Sequence, residues 1–304
     1  EPAARAAAPR RGGGVLLAGV AAAGLVGAGA GWLVSRGDQP SVVAGADPGV
    51  VHVHGLGINP ADGALYAATH TGVFRLDAEG TAARIADRFQ DTMGFTVAGP
   101  DRFLASGHPD LRDEELRADG KPPLLGLIES VDAGQTWRAT SLLGDADLHA
   151  IVAVDDVLVA YDSTGERVLI SGDGGQTWDT RASIALLDLA VDPSDPDRLA
   201  AVTLEGVVQT SSDGGRTWMS DSGSPTGLVR VRWGEGGLWA GTENGTLYRA
   251  ESAGGRWEEV RRFGGTIEAI LDDDTGVYVA AEASGIATSA DGGQTWRQLY
   301  RTGT

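Results

Sequence analysis

The sequence predicts an all-β protein, a six-bladed β-propeller of four-stranded antiparallel blades, preceded by one N-terminal transmembrane helix or signal segment. Three observations lead there. An octapeptide recurs at a nearly constant spacing, short β-branched runs separated by turn residues fill the intervals, and an uncharged apolar run stands ahead of the first repeat. With 304 residues and 42% apolar side chains, the chain is long enough to bury a substantial core.

The octapeptide reads SVDAGQTW at 130–137, SGDGGQTW at 171–178, SSDGGRTW at 211–218 and SADGGQTW at 289–296, with a worn copy, AESAGGRW, at 250–257. Its tryptophans step by 41, 40, 39 and 39 residues, the period of one four-stranded propeller blade. In blade three, for example, LHAIVAV, VLVAYD, RVLISGD and TWDTRA supply the four strands. Each copy has a physical logic. Asp132, Asp173, Asp213 and Asp291, with the serines two residues before them, accept backbone N–H groups in a tight turn. The glycines supply positive φ, and Trp137, Trp178, Trp218 and Trp296 open the last strand and pack between blades.

These copies resemble the Asp-box, or BNR, repeat of sialidases, sortilin-type receptors and photosystem assembly propellers. The chain also looks like bacterial BNR-repeat proteins that carry a glycosylhydrolase label. The resemblance spans about residues 50–304. It implies that the box is structural and lies away from the ligand face, so its aspartates are not assigned to catalysis.

One blade precedes the first of these hairpins, and the second blade contains it. Residues 52–86 repeat the layout without a box, and residues 91–140 form a second blade lengthened by a charged insertion at 111–123, read as a solvated loop. Six blades result. Blade six supplies all four of its own strands, and Ser41–Ala46 is a candidate for an added outer strand at ring closure.

The N-terminal region reads separately. Residues 1–14 form a basic flank with Arg5, Arg10 and Arg11, residues 15–34 (VLLAGVAAAGLVGAGAGWLV) carry no charge, and 35–49 serve as a linker to the propeller at 50–304. The run suits either a retained anchor or the apolar part of a signal peptide cleaved near Ala46. The basic flank marks the N-terminus as cytoplasmic. The expected location is therefore the cell membrane, single-pass with the propeller outside the cytoplasm, or secreted after cleavage.

Charge and cysteine content narrow the functions. Residues 1–40 hold four arginines against Glu1 and Asp38, which leaves 20 basic and 40 acidic residues beyond them. Such a body does not suit nucleic acid, whose phosphates need a basic surface. With no cysteine there is no disulfide and no thiolate ligand or nucleophile. The acidic loops at 192–197 and 272–275 read as turns on the bottom side.

On the opposite, top face, the starts of the innermost strands meet the loops between second and third strands. Aligning the innermost strands by their following apolar residues gives a ring of His54, Met93, His149, Asp188, Arg230 and Glu268. His52 points the same way as His54, and His70 and His108 fall in the top-face loops of blades one and two. All five histidines thus map to the top of blades one to three. Imidazole with thioether favours copper, and imidazole alone suits several transition metals. The candidate ligands are His52, His54, His70, Met93, His108 and His149, with Asp91, Asp110 or Asp147 to complete a site. The expected function is a binding or assembly module that takes a protein partner or a glycan on the top face.

The alternative implied by the resemblance is a sialidase-like glycoside hydrolase, with Tyr161 as nucleophile, Arg230 for the substrate carboxylate, and Glu268 and Asp188 as acid/base groups. The N-terminal Phe/Tyr-Arg-Ile-Pro signature of sialidases is missing, and Phe74-Arg75-Leu76-Asp77 is only a partial echo on a third strand.

Overall fold

The computed structural model describes residues 47–302 apart from Glu235. The apolar run at 15–34 and the segment Ser41–Ala46 lie outside the described residues. Among those described, no helix is long and apolar enough to cross a membrane.

Among the described residues, twenty-four strands form six four-stranded sheets, each antiparallel and each built from consecutive strands. Blade one holds β1 (Val53–Ile58), β2 (Leu65–Thr69), β3 (Gly72–Leu76) and β4 (Ala82–Arg84). Blade two holds β5 (Asp91–Gly99), β6 (Arg102–His108), β7 (Leu127–Ser130) and β8 (Arg138–Ser141). Blade three has β9 (Leu148–Val154), β10 (Val157–Asp162), β11 (Arg167–Ser171) and β12 (Asp179–Ser183), and blade four β13 (Leu186–Asp192), β14 (Asp195–Thr203), β15 (Val208–Ser211) and β16 (Met219–Ser220). Blade five comprises β17 (Leu228–Gly234), β18 (Gly237–Thr242), β19 (Thr246–Ala250) and β20 (Trp257–Arg262). Blade six comprises β21 (Ile267–Asp273), β22 (Gly276–Ala281), β23 (Gly285–Ser289) and β24 (Arg297–Tyr300).

The octapeptides make the hairpins between third and fourth strands. In the second blade, Asp132 Oδ1 accepts the Ser130 hydroxyl at 2.8 Å and the Thr136 amide at 2.9 Å, and Oδ2 takes the Thr136 hydroxyl at 2.7 Å. Ser130 Oγ accepts the Gly134 amide at 2.8 Å, so one serine and one aspartate side chain satisfy several of the turn's donors. The same bonds recur around Asp173, Asp213 and Asp291. The acidic segments at 192–197 and 272–275 each carry a tight hairpin turn, at 193–194 and 274–275, with strand on either side: Asp192 accepts Ser194 and pairs with Arg198, and Asp273 accepts Thr275.

The core is divided among the six seams between blades, each with its own apolar cluster. Trp137 packs with Tyr66, Ile85 and Phe103 between blades one and two, and Trp178, Trp218, Trp257 and Trp296 occupy the following four seams in turn. The seam between blades six and one has no box tryptophan. It is filled by Phe74, Leu76, Leu271 and Ile286, with Tyr278 and Tyr300 against them. Ring closure is thus face-to-face packing of two complete sheets.

The insertion at 111–123 differs from the solvated loop expected. Leu116 is buried in the apolar cluster of blades one and two, and ion pairs of Asp113 with Arg88 and of Lys121 with Asp145 fasten the loop to its neighbours. One apolar residue in a charged stretch is enough to dock it.

Pairing register refines the top-face ring. In every innermost strand the ladder to the second strand skips one residue: His54, Met93, His149, Leu187, Val229 and Glu268. These bulges are equivalent by structure. Asp188 and Arg230 sit one step further on, matching Gly55, Gly94, Ala150 and Ala269, so the ring does contain aliphatic residues in blades four and five. A bulge inserts a residue without disturbing the apolar pattern beyond it, so aligning apolar residues by eye slips by one. Small residues suit that next position because blades nearly touch there: a Cβ on Gly94 would lie 2.1 Å from the Leu148 carbonyl oxygen of blade three.

Two substitutions test this account. Gly80 lies at φ +84°, and a Cβ there would meet the Leu299 carbonyl oxygen at 1.8 Å across the closing seam. Gly80→Ala is expected to lower the urea midpoint more than Gly63→Ala, a glycine of similar φ with nothing nearby. Ser211→Ala leaves the buried Gly215 amide without its partner and is expected to cost about 1–3 kcal/mol in the same measurement.

Candidate functional site

The top face of blades one to three gathers the imidazoles through three local devices. The bulge in β1 frees His54 from the ladder, and the Thr69-to-Gly72 turn holds His70 beside it, with Thr69 Oγ1 accepting the Thr71 amide and donating to the Gly72 carbonyl. Asp91 and His108 are cross-strand partners at the paired ends of β5 and β6. The result is a chain of contacts. His54 Nε2 is 3.3 Å from His70 Nδ1, which is 2.7 Å from Asp91 Oδ1; Asp91 Oδ2 is 3.3 Å from His108 Nδ1. His108 Nε2 faces Asp147 at 3.9 Å, and Asp147 Oδ2 is bonded to His149 Nε2 at 2.9 Å. The His52 ring centroid is 5.3 Å from that of His70, and His52 Nδ1 is 3.3 Å from Glu268 of blade six. All five histidines predicted for this face are therefore there.

Their electrostatic settings differ. Burial, with His70 and Arg230 nearby, drives the His54 pKa down to about 3, so its ring is neutral. His70 and His108 are both raised, chiefly by their hydrogen bonds to Asp91. Burial opposes ionisation of Asp91, but the bonds from His108 and His70 outweigh it and hold the carboxyl well below its usual range. Asp147 is 6% exposed, and its Oδ1 has no hydrogen-bond partner.

Other predicted residues fall elsewhere. Met93 occupies the blade-two bulge, half-buried, and is absent from the lining of the central cavity. Asp110 is taken up by Arg112 and the Phe89 amide. Asp188 and Arg230 line a central cavity of about 70 Å³ with His54, His149 and Arg232. They tie blades together there: Asp188 accepts the Val231 amide, Arg230 Nε donates to the Glu268 carbonyl, and Glu268 accepts the Val53 amide. Burial raises the carboxyls of Asp188 and Glu268. Tyr161 is 4% exposed, and its hydroxyl oxygen accepts the Leu186 amide between blades three and four. Its place is in the seam, outside the cavity, which argues against the nucleophile role expected of it.

One feature of the face is missing from the sequence reading. Of six exposed large apolar side chains among the described residues, four belong to the top: Phe89, Leu111, Leu187 and Leu204. Leu111 and Leu204 stand in loops between second and third strands, so their topological position was a signal that could have found them.

No family model matches the chain, and no curated protein does. Solved structures resemble it. YCF48, in a structure with a D1 peptide bound, is 18% identical, with 83% of this chain and 82% of that one covered and a TM-score of 0.53. A GH74 xyloglucanase from Xanthomonas campestris is 18% identical at a TM-score of 0.51, over 82% of this chain and 45% of that one. A GH74 enzyme from Niastella koreensis is 16% identical at 0.55, over 83% and 45%. The chain is a six-bladed β-propeller. It spans less than half the length of the two GH74 enzymes, and at this identity the likeness concerns the fold.

The imidazoles predict a split titration. His70 and His108 bind protons more tightly when folded, so their contribution to stability is complete below pH 6.5 and is lost as pH rises through their raised values. For His54 the sign reverses: the unfolded chain takes a proton that the fold refuses, so stability falls from pH 6.5 toward about pH 3. Side-chain NMR titration is expected to keep His54 neutral at pH 5 while His70 and His108 are protonated there. A His54 that titrates near 6.5 contradicts the desolvation of its half-buried ring.

Proposed function

We propose that the protein is a binding or assembly module, tethered to the membrane by residues 15–34 with its propeller outside the cytoplasm, which holds a segment of a protein partner on its top face. A transition-metal site among the histidines belongs to the same reading. The observation that carries it is the pairing, on one face, of the histidine–carboxylate cluster with exposed Phe89, Leu111, Leu187 and Leu204. Apolar anchors beside fixed polar groups are the usual composition of a protein-binding surface. The central cavity, at about 70 Å³, is far below the roughly 300 Å³ at which small-molecule pockets begin, so the ligand is better met on the surface than in the channel. YCF48, a propeller of similar fold, has been seen with a D1 peptide bound, which supports peptide recognition as a use of such a scaffold. The hydrolase alternative has less behind it: Tyr161 is sealed in a seam, and Asp188 and Glu268 are occupied with backbone amides.

A photo-reactive residue placed at Leu204 or Leu111 in the full chain in its native membrane is expected to cross-link one and the same partner, and one at Val131 on the bottom side none. Equal capture from Val131 would remove the top-face assignment. Deleting residues 15–34 is expected to move the protein out of the membrane fraction; a chain still found wholly with membranes contradicts the tether.

A further inference from the structure

The contacts of His70 Nδ1 are over-subscribed. This atom lies 2.7 Å from Asp91 Oδ1 and 3.3 Å from His54 Nε2, yet one ring nitrogen carries at most one proton. If that proton serves Asp91, the neutral His54 ring can offer its Nε2 lone pair only to a shared N–H, and in its other tautomer its own Nε2–H faces no lone pair. Three lone-pair donors thus converge on a space held by a single proton, and all three atoms lie within 4.8 Å of one another.

We propose that His54 Nε2, His70 Nδ1 and Asp91 bind one divalent ion of borderline softness, Zn²⁺ or Cu²⁺, in place of that proton. Bonds of about 2.0–2.1 Å in tetrahedral array put neighbouring donors roughly 3.3–3.4 Å apart, which the two imidazoles already satisfy. The carboxylate needs to withdraw by about half an ångström once the shared proton is gone. His54 is neutral and ready to ligate. Asp91 is ionised and is oriented by His108 on its other oxygen, the arrangement that commonly supports a metal-bound carboxylate. The donor set decides the oxidation state. Met93 occupies the bulge of the next blade, and two imidazoles with a carboxylate suit divalent zinc or copper, whereas cuprous copper selects thioether and thiolate. Three protein donors leave the fourth position to water or to a group on the partner. His54 and His70 come from blade one and Asp91 from blade two, so the ion also bridges a seam.

The proposal deepens the top-face reading but stands apart from it in the test. The full chain, purified in detergent and stripped with EDTA, is titrated with ZnCl₂ by calorimetry and with CuSO₄ by electron paramagnetic resonance. One saturable Zn²⁺ per chain is expected, weakened at least about 100-fold by His54→Gln or His70→Gln and about 10–100-fold by Asp91→Asn. Met93→Leu and His149→Ala are expected to stay within about threefold of wild type. The Cu²⁺ spectrum should carry splitting from two nitrogens, reduced to one in His70→Gln, a signature independent of whether that variant is less stable. Absence of stoichiometric Zn²⁺, unchanged affinity in a His54→Gln/His70→Gln double variant, or loss of binding in Met93→Leu would each overturn the site. Top-face cross-linking that persists in EDTA while no metal binds removes this proposal and leaves the module intact; metal binding without top-face cross-linking does the reverse.

Discussion

Every blade of this propeller has two faces to bury, and only its neighbours can bury them. The structure therefore depends on six apolar seams. A box tryptophan, buried at Trp137 and half-buried at the other four, brings at most roughly 150–250 Å² of surface into its seam, up to on the order of 4–6 kcal/mol of transfer free energy, against about 1 kcal/mol net for a typical hydrogen bond in the hairpin that positions it. The serine and aspartate of the box matter chiefly because they aim that ring. The closing seam lacks such a tryptophan and fills with Phe74, Tyr278 and Tyr300, which explains how a chain whose described blades are all self-contained still meets its own beginning.

The same packing creates the site. Six innermost strands crowd the axis, and each releases one residue from its ladder at a bulge near the top. Several side chains at these bulges, or one step after them in blades four and five, then make bonds close to the axis. Around blades four to six these bonds end on backbone: Asp188 on the Val231 amide, Arg230 on the Glu268 carbonyl, Glu268 on the Val53 amide. Around blades one to three they end on other side chains, imidazole to carboxylate to imidazole. The first set is spent on holding the ring together, while the second keeps polar atoms available, Asp147 Oδ1 among them.

The architecture was readable because the octapeptide couples a fixed turn to a fixed period, so five hairpins locate five blades and the first follows by layout. The histidines were readable because strand parity and loop order decide the face of each one. What escaped notice has local causes. A bulge moves a residue by one place without changing the apolar pattern after it, so Asp188 and Arg230 stood in for Leu187 and Val229. Docking of the loop at 111–123 turns on Leu116 alone among charged neighbours. The seam position of Tyr161 depends on which sheet face meets blade four, and parity along one strand cannot name the neighbour. Contacts among His54, His70 and Asp91 depend on the approach of two blades, a distance no pattern records.

That approach makes the histidine cluster sensitive to the ring as a whole. His52 touches Glu268 across the closing seam, His70 meets Asp91 across the next, and His108 faces Asp147 across the third. A rearrangement that opened any one of these seams would separate an imidazole from a carboxylate, and the raised pKa of His70 depends chiefly on Asp91 across the seam between blades one and two. Conversely, any ligand that prefers the assembled cluster must stabilise the seams it spans, because binding to the closed ring alone shifts the closing equilibrium by mass action. The face that carries the chemistry and the contacts that close the fold are therefore thermodynamically linked, and the link runs through the three blades nearest the start of the propeller.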